Sequence, residues 1–97
     1  MARNPGSRGD GGSFDAITIE AVWQKGTPVP GYPTFRRDAC GALMQRSTYG
    51  QTVQYGWEID HIKPASGGGS DDIYNLQPLH WENNRAKGDG PLVCVRR

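Results

Sequence analysis

The sequence predicts a small α+β domain, and three observations predict it. Ile19, Val22 and Trp23 fall at i, i+3 and i+4, the spacing of one helical face. Further on, "YGWEIDHI" alternates as a strand does, and "NLQPL" gives a second short strand after a loop with three successive glycines. "HWENNRAKGD" then returns to a helical pattern that Gly88 stops. With 97 residues the chain has room for one such domain and not for two. A domain of that size has a thin core.

Taken in order, residues 1–13 hold no large apolar residue beyond the first methionine and read as a disordered tail, leaving residues 14–97 as the folded domain. In "DAITIEAVWQKG", Asp15 can cap the start of a helix and Gly26 can end it, with Trp23 as a core anchor. "TPVPGYP" is expected to hold no regular structure, because its three prolines fix φ and remove donors. A strand or hairpin is expected near residues 41–47. In the strand around Trp57, the alternation puts Trp57, Ile59 and His61 on one side and Glu58, Asp60 and Ile62 on the other, as in a half-buried strand. "KPASGGGSDDIY" is a loop able to turn sharply. In the last helix Lys87 sits in the final turn, where the helix dipole favours a cation. "PLVCVRR" is expected to add an edge strand.

Composition narrows the setting. No apolar run approaches the roughly 18 residues of a membrane span, and no signal-peptide core is visible, so a soluble cytoplasmic protein is the expectation. Cys40 and Cys94 form no C-x-x-C pair, which removes the metal-ribbon reading. Two buried thiols are expected, with a single bridge as the alternative. A net charge of +1 argues neither for nor against a polyanionic partner. Local placement says more: Lys63, Arg85 and Lys87 flank a centre that contains Asp60 and Glu82.

Strand, glycine-rich loop, strand and helix in that order bring the end of the first strand back beside the helix. Asp60, His61 and Asn84 then surround one small volume. Carboxylate and amide oxygens are hard ligands that suit Mg²⁺ or Mn²⁺, and a neutral histidine can take a proton from water near neutral pH. These are the parts of metal-assisted phosphodiester hydrolysis. Each residue also has an ordinary use. Asp60 could salt-bridge a surface arginine, His61 could be a satisfied half-buried histidine, Asn75 could open a turn, and Asn84 could face solvent. Only their joint spacing favours a site.

That spacing resembles the signature of the HNH endonucleases. "EIDHIKPASGGGSDDIYNLQPLHWENNRAKGD" carries an Asp-His pair, Asp60-His61, at a strand end, then Gly67-Gly68-Gly69 in the loop. Asn75 opens the second strand, and Asn84 stands one turn into the helix, shortly before Lys87. The resemblance covers roughly residues 56–89 and looks like that of small bacterial or phage HNH proteins. It implies a ββα-metal (His-Me finger) fold with an added N-terminal helix and a short strand or hairpin. It also implies His61 as general base, Asp60 and Asn84 as ligands of one divalent cation, and Asn75 as a brace of the loop. The products it implies are a 5′-phosphate and a 3′-hydroxyl. Many members carry C-x-x-C pairs for a structural zinc; here His80 and Asn83 stand at the second pair, so no structural zinc is expected. The third letter is Asn, an H-N-N variant, which favours Mg²⁺ or Mn²⁺.

His80 is expected to be structural, capping the helix or packing on Trp81, with a supporting role beside the metal or phosphate as the alternative. Arg85, Lys87 and Lys63 are expected to position a nucleic-acid backbone without reading sequence, against the reading of ordinary solvated charges. Trp57 and Trp81 are expected in the core. The expected activity is a metal-dependent endonuclease that nicks double-stranded DNA with little sequence preference, acting as a monomer or weak homodimer. The competing classes are a nucleic-acid-binding module that keeps the fold without cutting, and a purely structural domain.

Overall fold

The computed structural model describes residues 5–97, so the first part of the expected tail, residues 1–4, lies outside the described residues. Residues 5–13 follow as turns. Helix α1, Ala16–Trp23, starts where predicted: Asp15 Oδ1 accepts the Thr18 N–H at 2.7 Å and so satisfies one of the free amides of the first turn. It buries Val22 and Trp23, while Ile17 faces out. Just past the helix, Gly26 is required for closeness: a Cβ there would sit 2.9 Å from Arg36 Cβ. Lys25 Nζ donates to the carbonyls of Ile73 and Leu76, tying the helix exit to the segment that carries Asn75.

A three-stranded antiparallel sheet follows, formed by β1 (Thr27–Pro28), β2 (Phe35–Arg37) and β3 (Leu43–Gln45) in that order. The expectation that "TPVPGYP" holds no regular structure is corrected at its start. Thr27 and Pro28 pair with Arg37 and Arg36, on an edge strand, where a proline's missing donor is tolerated. The predicted hairpin forms as β2–β3, over residues 35–45 instead of 41–47. Its turn is wound round Asp38, whose Oδ1 accepts the N–H groups of Cys40 and Ala42 at 2.9 Å each.

The second sheet is the antiparallel pair β4 (Trp57–His61) and β5 (Leu76–His80), with Asp60 opposite Gln77 and His61 opposite Leu76. Helix α2, Trp81–Lys87, follows β5 directly and packs on both strands. One face of β4 meets α1 and the first sheet. There Trp57 packs on Trp23 and Tyr49, with ring centroids 5.0 and 4.8 Å apart, and joins Phe14, Val22, Met44, Ile59 and Leu76 in the core. The other face lies under α2. The half-buried strand is therefore corrected: all five residues of β4 are buried, Glu58 and Asp60 included, because α2 covers the side expected to meet water.

Two further expectations change at the C-terminus. "PLVCVRR" forms no strand. Buried Asn83 holds it instead: Oδ1 accepts from the Val95 and Arg96 amides at 2.9 and 2.8 Å, and Nδ2 donates to the Arg96 carbonyl. The expected free thiols are a disulfide, Cys40–Cys94, with Cα atoms 5.5 Å apart. The Asp38 turn and Asn83 bring the two cysteines together, since Asn83 Nδ2 also donates to Asp38 Oδ2 at 3.0 Å.

Candidate active site

The site is built at the end of β4, where consecutive side chains enter opposite faces of the strand pair. On the α2 side, Asp60 is fully buried, and its Oδ2 accepts from Gln77 Nε2 at 2.9 Å across the strand pair. Its other oxygen, Oδ1, is buried without a hydrogen-bond partner among the described residues. Lys87 Nζ stands 3.2 Å from that oxygen as an ion pair, but the ammonium aims its hydrogen bond at the His61 carbonyl, 2.9 Å away. One turn back along α2, Asn84 donates through Nδ2 to Glu58 Oε1 at 2.9 Å, which turns its amide oxygen end toward acceptor duty. Glu58 also takes Arg85 through both oxygens, Oε1 from Nε at 3.3 Å and Oε2 from Nη2 at 2.8 Å. That bond to Glu58 raises the Arg85 pKa above its already high value.

On the opposite side, His61 is fully buried, with the Phe14 ring centroid 6.1 Å from its own. Its Nε2 lies 2.7 Å from Asp71 Oδ1. Its Nδ1 is buried and has no hydrogen-bond partner among the described residues. Asp71 Oδ1 also accepts the Gly9 N–H at 2.9 Å, and Arg8 Nε stands 3.7 Å from Oδ2. Burial opposes ionisation of Asp71, but the bonds from His61 and Gly9 and the charges of His61 and Arg8 outweigh it, so its pKa falls below the usual carboxylate value.

Between the strands, Asn75 ties the loop to itself. Its Oδ1 accepts the Lys63 N–H at 2.8 Å, and its Nδ2 donates to the carbonyls of Lys63 and Ser70 at 3.1 and 2.8 Å. This closure needs a glycine at 69, where a Cβ would stand 1.8 Å from the Lys63 oxygen. The run of three glycines in the sequence is thus a requirement of close backbone approach at its last member.

Asp60 and His61 therefore lie on β4 and Asn84 on its covering helix, with Asn75 in the turn just before β5. The expected cations separate. Arg85 is 45% exposed and Lys63 is exposed, so both can meet a polyanion. Lys87 as a surface phosphate contact is corrected: its side chain is 4% exposed and turned inward onto Asp60 and His61. His80 has both ring nitrogens engaged. Nδ1 accepts the Glu82 N–H at 3.1 Å as the N-cap of α2, so Nε2 carries the hydrogen and donates to the Gln54 carbonyl at 2.7 Å. Its ring stacks on Trp81 at 6.0 Å.

Glu58, Asp71 and Gln77 were not among the residues that the sequence singled out for the site. Glu58 had a signal, since it stands two residues before Asp60 on the same strand face. Gln77 follows from the strand register once β4 and β5 are paired. Asp71 had no local signal, because only the folded loop brings it to His61. Among the described residues no group of three His, Cys, Asp or Glu side chains is placed to hold a metal.

Beside this geometry stands one comparison: the family model HNH, described as HNH endonuclease, matches residues 39–90, just over half of the chain. No curated protein and no solved structure matches it.

Proposed function

Because the chain belongs to the HNH endonuclease family, we propose that it is a metal-dependent endonuclease that hydrolyses DNA phosphodiester bonds through a ββα-metal core made of β4, β5 and α2. The observation that carries this reading is that two consecutive residues each hold a buried atom, Asp60 Oδ1 and His61 Nδ1, without the hydrogen bond that buried polar atoms almost always make. An acceptor oxygen and an imidazole nitrogen in that state suit a cation and a proton respectively. Asp60 and the amide oxygen of Asn84 would hold one Mg²⁺ or Mn²⁺, hard donors for a hard ion. Such an ion, when bound, supplies charge neutralisation at the phosphate and at the departing 3′ oxygen.

The protein's own residues do the rest. His61 takes the proton of the attacking water. Asn75 fixes the loop that follows β4, so the backbone carrying His61 cannot drift. Arg85 and Lys63 hold the nucleic-acid backbone without reading bases. Lys87 braces the Asp60–His61 dipeptide from inside. Contacts of that kind carry no base readout, so weak sequence preference and nicking of double-stranded DNA are the expected behaviour.

A divalent-metal panel on supercoiled plasmid tests the reading. Nicking should appear with Mg²⁺ or Mn²⁺ and stop with EDTA. His61→Ala should bind DNA as the parent does and cut nothing. A variant that cuts at the parent rate removes His61 from the role of base. A parent protein that shifts DNA on a gel and never nicks it, with any divalent ion, is the non-cleaving binding module instead.

A further inference from the structure

Two fully buried side-chain atoms have no hydrogen-bond partner among the described residues, and one of them is His61 Nδ1. The partner of the other ring nitrogen decides what Nδ1 can do. Asp71 carries a lowered pKa and is ionised near neutrality, so its oxygens only accept. The 2.7 Å contact to Nε2 must then be an N–H of the imidazole donating to the carboxylate. In the neutral ring a hydrogen on Nε2 leaves the lone pair on Nδ1.

We infer that Asp71 is the positioning residue for His61: it holds the hydrogen on Nε2, presents Nδ1 as the proton acceptor, and balances the charge of the imidazolium once the proton has moved. This deepens the nuclease reading and rests on it for the catalytic consequence. In the step, a water O–H bond breaks, its proton goes to Nδ1 and the hydroxide oxygen bonds to phosphorus. The P–O3′ bond breaks, and the 3′ oxygen leaves with a proton taken from solvent water. The Nε2 hydrogen stays between the ring and Asp71. The carboxylate does not become protonated; its work is orientation and charge balance.

The hold on Asp71 comes from a distant part of the chain. Gly9 donates its backbone N–H to Oδ1, the same oxygen that takes His61, and Arg8 faces Oδ2. Residues 5–13 were expected as tail, yet they reach across the loop to the carboxylate that bonds the imidazole. A backbone amide and the imidazole N–H converging on one oxygen fix the plane of the carboxylate, and with it the rotation of the ring.

Two variants and two readouts test this. Nitrogen NMR of the imidazoles, in the protein without DNA or metal, should show His61 in the Nε2–H tautomer in the parent. The Asp71→Ala variant should show a mixture of tautomers or the Nδ1–H form. The Asp71→Asn variant, whose amide oxygen can still accept, should keep the parent tautomer. In plasmid nicking, Asp71→Ala should lose about 10- to 100-fold in kcat, the usual cost of removing a residue that orients a ligand or base, with KM for DNA and Mn²⁺ affinity unchanged. Asp71→Asn should recover part of that loss. An Asp71→Ala protein with the parent tautomer, or with kcat within about twofold of the parent on the same scale, overturns the inference. The spectrum needs no turnover. A parent that never cuts therefore ends the nuclease reading, while the tautomers still decide whether Asp71 orients His61.

Discussion

Reduction of the Cys40–Cys94 bridge should remove about 4 kcal/mol of stability. The two cysteines are 54 residues apart in sequence, so the bridge closes more than half of the chain into one loop. The loop-entropy relation for that length gives about 14 cal/mol/K of entropy withheld from the unfolded state, or about 4 kcal/mol at 25 °C. Folded contacts should change little on reduction, because Asn83 already holds the C-terminal segment through the Val95 and Arg96 amides. The effect therefore falls mainly on the unfolded chain. For a domain with a total stability of roughly 5–15 kcal/mol, that loss lowers the Tm by about 15–30 °C. The assay is urea unfolding followed by fluorescence of Trp23, Trp57 and Trp81, with oxidised protein, reduced protein and the Cys40→Ala/Cys94→Ala double variant in parallel. A difference under about 1 kcal/mol between oxidised and double-variant protein would refute the entropic reasoning. The comparison also bears on setting: cytosolic reductants keep such pairs as thiols, so the reduced values apply in a reducing compartment and the oxidised values in an oxidising one.

Three other outcomes follow from the site. Asn75→Ala removes three hydrogen bonds that close the loop, and should cost about 2–4 kcal/mol in chemical denaturation along with most nicking activity; an unchanged denaturation midpoint would contradict it. Lys87→Met leaves Asp60 buried without its cation, a change worth about 3–5 kcal/mol, whereas a surface phosphate contact would instead weaken DNA binding and spare stability. Asp71 has a folded-state pKa below its ordinary 3.8, so its contribution is complete above that value and fades as pH falls through the lower folded value. The Gly9 amide resonance should move over that acid window in the parent and stay flat in Asp71→Asn.

The fold was legible wherever one short signal decided an element. Asp15 and the spacing of Val22 and Trp23 placed α1, and Gly88 closed α2. The strand pair was legible too, and with it the positions of Asp60 and His61 at the end of β4 and of Asn84 on α2; their working as one site belongs to the proposal. What escaped the sequence was non-local. Alternation in β4 shows which residues share a side; it does not show that α2 will cover the polar one, which is why Glu58 and Asp60 are buried. Lys87 looked like a helix-end cation because the dipole argument concerns only its own helix, whereas its side chain is claimed by the strand beneath. The disulfide depended on two clamps, Asp38 and Asn83, that meet only after folding. Asp71 pairs with His61 through a loop whose path rests on Gly69 and Asn75, and no spacing rule encodes that path.

A strand buried on both faces has no spare side. Glu58, Asp60 and His61 occupy nearly consecutive positions, each holding the fold together while carrying, or supporting, the proposed chemistry. Screens of this strand that select for cleavage will therefore score folding and catalysis as one trait, and every variant needs a melting curve beside its rate. Freedom to alter the protein lies elsewhere, at exposed Lys63 and Ser66 in the loop and at Ala86 on the outer side of α2. Contacts with nucleic acid can be redrawn at those positions without reopening the interior.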